Sequence, residues 1–231
     1  ADDSKAVRRI LEASLESEVW GFSRTVRAAL DSLIELGCRA VLIEISTSDV
    51  KMAAYGFTRD GVLSRITDAV QYAVQNGMRV IFFPVDSTRS DLTFLRKVYE
   101  TALQAGAAEV AVVDTIGACS PEAVEFLVRQ VKNWVGPDVA IHFHGHNDFG
   151  LATASAIAAV RGGADWIQGT INGMGERAGN ADLCEVALAL QCLYDVPVEL
   201  ALSKARSISR LVQDAGRYTV DAWKPVVGEN L

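Results

Sequence analysis

The chain has 231 residues, and 50% of them are hydrophobic, which is enough to bury the core of one large α/β domain or two small ones. Its formal net charge of -7 and the absence of any run of lysine or arginine argue against nucleic-acid binding and favour an ordinary acidic cytoplasmic protein. No apolar stretch approaches the roughly 20 residues that a membrane-spanning helix needs, so we expect no membrane partner.

The four cysteines are widely spaced and form no C-x-x-C pair. They lie in apolar or helical surroundings at Cys38, Cys119, Cys184 and Cys192. This pattern favours buried free thiols over disulfides or zinc ligands, and it fits a reducing compartment.

One pattern recurs along the chain: an amphipathic helix, a glycine, a few residues, and then a short strand rich in valine and isoleucine. The glycines, each predicted to be a helix C-cap, are Gly37, Gly77, Gly106, Gly136 and Gly162. The predicted strands are 18–22, 40–46, 80–86, 110–115, 139–144 and 166–171. Strands that alternate with helices at this spacing indicate βα units around a parallel sheet.

Two architectures fit these βα units: an open doubly wound sheet and a (β/α)8 TIM barrel. A barrel collects its chemistry at the carboxyl ends of many strands, whereas an open sheet concentrates it at one switch point. Polar groups follow five of the predicted strands, at 46–49, 86–89, 114–115, 144–148 and 172–180. We therefore predict the α/β class and a (β/α)8 TIM barrel that lacks two strands, with residues 1–231 as a single domain truncated at both ends.

All three histidines fall on one predicted strand and its exit. Because side chains alternate along a strand, His142, His144 and His146 share one face. Imidazole is the commonest metal ligand among side chains, and the two-residue spacing lets His144 and His146 reach one ion from the same side. The competing interpretation is a set of hydrogen-bonded structural histidines. The polar strand exit at Asn147 and Asp148 favours a metal site.

A glycine-rich loop, 172–180, follows the last strand and supplies a carboxylate, a guanidinium and an amide. Alone it could equally form a structural salt bridge. Together with the histidine strand, it makes the chain resemble the metal-dependent acyltransferase and lyase TIM barrels that include 2-isopropylmalate, homocitrate and citramalate synthases. The segments that carry the resemblance are His144–Ala152, Gly173–Asn180, Asp114–Gly117, Asp86–Asp91 and Lys224–Asn230. The G-x-G-E-R-x-G-N form of the loop matches the synthase branch.

The resemblance implies a ligand set and a reaction. His144, His146 and Asn180 would bind a divalent cation (Mg²⁺, Mn²⁺ or Zn²⁺), and Thr115 would contact the carboxylate of a 2-oxo acid. The implied chemistry is an aldol-type (Claisen) condensation of acetyl-CoA with that acid in amino-acid biosynthesis, which gives a 2-alkylmalate or a homocitrate-like product. A homodimer is also implied.

The chain departs from the family at three places, one of which is the absence of the catalytic or lid segment that the family carries beyond the Gly-Glu-Asn tail and contributes across a dimer. The first-strand motif Asp-x-Thr-Leu-Arg-Asp-Gly-x-Gln, which supplies a metal carboxylate and a substrate-polarising arginine, is absent, so the two missing strands are the first two. On the strand 80–86, alternation turns Ile81, Phe83 and Val85 inward, where synthases often carry polar residues, including a glutamate that assists the base. We therefore assign no general base and no catalytic residue.

Ser46 and Ser48 should point into the barrel mouth by alternation, where substrate contact and a solvated rim fit the sequence equally well. We enter them as candidate substrate-binding residues beside Thr115. Glu176 and Arg177 are expected to hold the shape of their loop. Two other functions stay open: a carbon-carbon lyase or aldolase on the same metal, and a catalytically inactive truncated barrel that serves as a binding module.

Overall fold

The computed structural model describes residues 2–230, in which helices alternate with strands. The strands are β1 (Trp20–Arg24), β2 (Ala40–Ser46), β3 (Arg79–Val85), β4 (Glu109–Asp114), β5 (Ala140–Gly145) and β6 (Trp166–Gln168). The α-helices are α1 (Asp2–Glu12), α2 (Arg27–Leu36), α3 (Asp49–Ala54), α4 (Arg59–Gln75), α5 (Leu92–Gln104), α6 (Pro121–Val135), α7 (Ala152–Gly162), α8 (Leu183–Leu193) and α9 (Ala205–Gly216). Every predicted strand is present, and the strand order follows the chain from β1 to β6.

Residue contacts divide the chain into two compact units. The first unit comprises the chain up to Val113 together with Gln130–Ile141, and the second comprises Asp114–Arg129 and the chain from His142 onward. Between residues 2 and 230, no helix is long and apolar enough to cross a membrane.

In the first unit, β1, β2 and β3 are parallel neighbours, and Ala40 of β2 lies in register with Trp20 and Arg79. Strand β3 also pairs in parallel with β4. Five alternating side chains of β3 and β4 form one buried apolar cluster, which we call the β3–β4 cluster: Ile81, Phe83, Val85, Ala111 and Val113. The prediction that β3 turns only carbon to this face is confirmed.

The glycine pattern marks the helix ends, but three of the five predicted caps are displaced by one residue. Asn76 and Ala105 hold the cap positions of α4 and α5, and the predicted Gly77 and Gly106 follow them with left-handed φ of 76° and 106°. Gly37 ends α2 with a left-handed φ of 88°, which a residue without Cβ adopts at little cost. The prediction that Gly162 is the cap of α7 was wrong, because Gly163 holds that position with φ 101°. Gly162 is the last residue of α7, and a Cβ there would lie 2.8 Å from the carbonyl oxygen of Glu125 in α6. Close helix packing, rather than a turn, requires that glycine.

In the second unit, β5 and β6 pair in parallel, with His142 beside Trp166 and His144 beside Gln168. Strand β6 ends three residues earlier than predicted, at Gln168. The chain then enters a short 3-10 turn at Ile171–Gly173, in which Asn172 adopts a left-handed φ of 63°. This turn starts the glycine-rich loop and returns the chain toward the end of β5.

Candidate metal centre

Three side chains converge at the carboxyl end of β5. The Nε2 atoms of His144 and His146 lie 3.3 Å apart, and the amide nitrogen of Asn180 lies 3.4 Å from His144 Nε2 and 3.4 Å from His146 Nδ1. The two imidazole rings meet edge to face, with centroids 5.1 Å apart. We call His144, His146 and Asn180 the candidate metal centre. The structure therefore brings together all three residues that the sequence proposed as metal ligands.

Cross-strand register with β6 positions the histidines of β5. His144 Nδ1 contacts Oε1 of Gln168 at 3.1 Å, directly across the strand pair. Two residues earlier on each strand, the buried ring of His142 stacks on its register partner Trp166, with ring centroids 5.8 Å apart and ring planes 12° from parallel. His142 thus has an aromatic partner of its own and lies outside the centre.

The glycine-rich loop brings Asn180 to the histidines. His146 and Asn180 form an isolated antiparallel bridge, and the backbone N–H of Asn147 donates to the carbonyl of Gly179 at 2.9 Å. Gly175 has to be glycine, because a Cβ there would overlap Oδ1 of Asn180. Gly175 therefore allows the loop backbone to approach the Asn180 side chain closely, while a Cβ on Gly179 would overlap the carbonyl of Gly173.

A tight turn after β4 fixes the backbone of His146. The His146 N–H donates to the carbonyl of Asp114 at 3.1 Å, and a Cβ on Gly117 would overlap the His146 carbonyl. The buried Asp114 carboxylate accepts the backbone N–H groups of Ala118 at 3.3 Å and Cys119 at 3.2 Å. The segment Asp114–Gly117 is therefore a structural support for β5, and it carries the half-buried Thr115.

Arg177 connects its own glycine-rich loop to the segment after β5 and to the turn after β4. Its guanidinium pairs with Asp148 through Nε at 2.8 Å and Nη2 at 3.1 Å, and Nη2 also donates to the backbone carbonyl of Thr115 at 2.6 Å. The hydrogen bonds with Arg177 lower the pKa of Asp148. The neighbouring Glu176 is far more exposed and contacts Arg177 only at 3.5 Å. Arg177 thus holds the loop as expected, and it also ties down the segment that carries Thr115.

The tail motif is anchored beside Asn180. Lys224 Nζ lies 3.0 Å from Asp182 and 2.9 Å from Glu185. Asp182 also caps α8 by accepting the N–H groups of Cys184 and Glu185. The tail therefore docks on the helix that begins directly after the loop.

Burial controls the charge of the two histidines. Burial, with a smaller effect from His146, lowers the pKa of His144 to about 4. Burial, followed by the positive charge of Arg177, also lowers the pKa of His146. A ring with so low a pKa is neutral near pH 7, so a lone pair is available for a cation.

The donor set fits a divalent cation. Ligand atoms about 2.1 Å from a shared ion, at tetrahedral or octahedral angles, lie about 3.0 to 3.4 Å apart. The separations of His144 Nε2 from His146 Nε2, 3.3 Å, and from the Asn180 amide nitrogen, 3.4 Å, fall in this range. A half-turn of the Asn180 amide brings its oxygen, the atom that binds cations, to the place of the nitrogen. Among residues 2–230, no three His, Cys, Asp or Glu side chains form a metal-binding group. The candidate metal centre consists of two imidazoles and one amide.

Ser46 and Ser48 belong to the first unit and are both buried. The Ser48 hydroxyl donates to Asp86 and accepts the N–H of Lys51, which makes it the N-cap of α3. Arg89 holds the same carboxylate at 2.9 and 2.6 Å. These bonds give Ser48 a structural task, and substrate contact by either serine stays a prediction.

Sequence reasoning missed Gln168 and the pairing of Asp148 with Arg177. The available signal for Gln168 was its two-residue spacing from Trp166 on the strand that follows the histidine strand. Which residue faces His144 depends on the register, however, and the sequence does not display the register. For Asp148 and Arg177, the two charges lie far apart in the chain, and only loop closure brings them together.

Comparison with known proteins supports this architecture. A 2-isopropylmalate synthase of Sulfurisphaera tokodaii is 40% identical over 227 residues, which cover 97% of this chain and 58% of that protein. A homocitrate synthase of Methanothermobacter thermautotrophicus is 34% identical over 227 residues, covering 98% of this chain and 58% of that protein. The chain spans between 44% and 59% of the length of such curated relatives.

Solved structures confirm the fold class. The hydroxymethylglutaryl-CoA lyase of Pseudomonas aeruginosa superposes with a TM-score of 0.80 at 17% identity, covering 95% of this chain and 76% of that one. With six consecutive parallel strands, the chain has the α/β fold predicted for a (β/α)8 barrel that lacks two strands. The HMGL-like family model matches residues 1–212. The chain belongs to the HMGL-like family.

Proposed function

We propose that the protein is a metal-dependent acyltransferase that condenses acetyl-CoA with a 2-oxo acid. The observation that carries the proposal is the convergence of His144, His146 and Asn180 within 3.4 Å. The names of the relatives, 2-isopropylmalate synthase and homocitrate synthase, support this reaction class. We further propose a cytoplasmic homodimer in which residues 1–231 form part of one catalytic barrel domain.

The chemistry forms one carbon-carbon bond and releases one thiol. A base removes a methyl proton from acetyl-CoA, and the resulting enolate carbon attacks the ketone carbon of the oxo acid. The ketone oxygen takes up a proton, and water then cleaves the thioester to a carboxylate and free CoA. A bound Mg²⁺, Mn²⁺ or Zn²⁺ ion would polarise the ketone as a Lewis acid and orient the acid.

The residues of this chain supply binding and orientation. His144, His146 and Asn180 would hold the cation, and the Thr115 hydroxyl would donate a hydrogen bond to the carboxylate of the oxo acid. Arg177 carries the Thr115 backbone through its 2.6 Å bond to that carbonyl, so it would set the position of the hydroxyl. None of these residues would transfer a proton in the reaction.

Thiol release tests the proposal in the protein at its full natural length. With divalent metal and acetyl-CoA, we expect free thiol to appear only when a suitable 2-oxo acid from a panel is added. The same panel without metal serves as the control. Absence of oxo-acid-dependent thiol release from metal-loaded protein would overturn the synthase proposal.

Two other functions have an observation in their favour. A carbon-carbon lyase is favoured by the fold shared with hydroxymethylglutaryl-CoA lyases. It would cleave a carbon-carbon bond in the acyl part of a CoA thioester and leave the thioester intact, so no free thiol would appear. A catalytically inactive binding module is favoured by the apolar β3–β4 cluster, to which β3 contributes only Ile81, Phe83 and Val85. Such a module would bind metal but would catalyse neither the condensation nor the carbon-carbon cleavage.

A further inference from the structure

The contact between His144 and Gln168 is set by strand pairing. The two residues are register partners in β5 and β6, and the imidazole Nδ1 lies 3.1 Å from the amide Oε1. Both side chains are partly buried, so water competes little for either atom. The contact therefore belongs to the fold of the strand pair rather than to a surface side chain that could adopt many rotamers.

This contact fixes which nitrogen of His144 can bind a cation. An amide oxygen only accepts hydrogen bonds, so Nδ1 carries the proton and Nε2 keeps its lone pair. Nε2 is the atom that lies 3.3 Å from His146 and 3.4 Å from Asn180. The acceptor on Gln168 thus turns the free lone pair of His144 toward the other two members of the candidate metal centre.

We propose that Gln168 is a positioning residue that selects the tautomer and ring orientation of His144 for metal binding, an inference that rests on the metal centre of the proposed function. Metal-ligating histidines usually donate their second N–H to such an acceptor, and loss of the acceptor typically weakens metal affinity about 10- to 100-fold. The acceptor here is a neutral amide, which makes the imidazole a weaker base than a carboxylate partner would. Gln168 therefore also limits how tightly the ion is held.

The test measures Co²⁺ binding to the metal-free protein at its full natural length, by equilibrium dialysis and by the visible absorption of the bound ion. Gln168→Met keeps a side chain of similar length and replaces the amide oxygen with a thioether, a much weaker acceptor, so we expect its affinity to fall about 10- to 100-fold. Gln168→Glu restores an acceptor, and we expect affinity at least equal to wild type with an unchanged absorption spectrum. Gln71→Met, on the exposed surface of α4, is the matched control and should bind as wild type does.

Each outcome bears on one claim. Wild-type affinity in Gln168→Met would overturn the positioning role, and so would a Gln168→Glu variant as weak as Gln168→Met. The metal centre itself is judged separately by His144→Ala combined with His146→Ala. If that double variant still binds Co²⁺ as wild type does, or if the wild-type protein binds none, the proposed function fails at its metal site and not merely at Gln168.

Discussion

The carboxyl ends of β5 and β3 use the same alternation of side chains for opposite purposes. At the carboxyl end of β5, which belongs to the second unit, His144 and the following His146 turn their ring nitrogens toward each other and toward an amide. Strand β3, in the first unit, presents Ile81, Phe83 and Val85 to a buried cluster of carbon. Both arrangements follow from the period of two along a strand.

The partners of each strand end explain the difference. Around the end of β5, polar contacts dominate: Gln168 contacts the His144 ring, Arg177 bonds the Thr115 carbonyl, and the Asp114 carbonyl accepts the N–H of His146. Such supporting bonds are what a binding site requires to keep its ligands in place. The apolar side chains of the β3–β4 cluster instead pack against one another, which contributes to the free energy of unfolding. We therefore expect ligand binding and stability to be separable between these two regions.

The largest expected effect breaks the candidate metal centre. Combining His144→Ala with His146→Ala removes both imidazoles, and we expect the protein to lose its bound divalent ion altogether. Metal analysis after dialysis measures this. His142→Phe is the control, because it keeps the aromatic stack on Trp166 and leaves the centre intact. Equal metal content in wild type and double variant would remove the basis for the proposed site.

The second prediction concerns the β3–β4 cluster. Phe83 is only 6% exposed, so Phe83→Ala should lower the free energy of unfolding by about 3 to 5 kcal/mol through lost burial and a residual cavity. Chemical denaturation measures this change, and metal affinity in the folded variant should stay at its wild-type value. The control Phe126→Ala alters a residue that is 54% exposed and should cost about 0.5 kcal/mol or less. A strong loss of metal affinity in Phe83→Ala would contradict the separation.

A more moderate effect is expected at Thr115. Thr115→Val keeps the volume and deletes the hydroxyl, so binding of the oxo-acid carboxylate should weaken by about 1.5 to 3 kcal/mol. The change should appear as a raised KM for the oxo acid with the KM for acetyl-CoA little altered. Thr115→Ser retains the hydroxyl and should retain the KM. An unaltered KM in the valine variant would exclude Thr115 from substrate binding.

The last prediction concerns the pH-dependent reactivity of Cys119, in the segment between β4 and α6. Burial, with a further contribution from Asp114, raises the pKa of Cys119 to about 11. Because only the thiolate reacts, alkylation of Cys119 should be very slow at pH 8 and should rise about tenfold per pH unit until pH approaches 11. Site-resolved mass spectrometry of iodoacetamide labelling measures this, with the exposed Cys192 as the internal reference. Labelling of Cys119 that levels off near pH 9 would contradict the assignment.

The sequence by itself determined what depends on local geometry. Alternation along an extended strand was sufficient to put His144 and His146 on one face and to predict the apolar face of Ile81, Phe83 and Val85. The left-handed glycines that follow helices, such as Gly37 after α2, could be predicted for the same reason, because a left-handed helix end depends on a few consecutive residues. The family motifs added the proposed ligand Asn180.

Tertiary structure decided everything that joins residues distant in the chain. The partner of His144 depends on the register of β5 with β6, and a shift by one residue would have replaced Gln168 with a side chain of the opposite face. Arg177 reaches Asp148 and the Thr115 carbonyl only because the loop closes back over the strand ends. Gly162 proved to serve helix packing rather than a cap, which depends on α6 lying against α7. Chain closure and strand register fix these contacts, and neither leaves a periodic signal in the sequence.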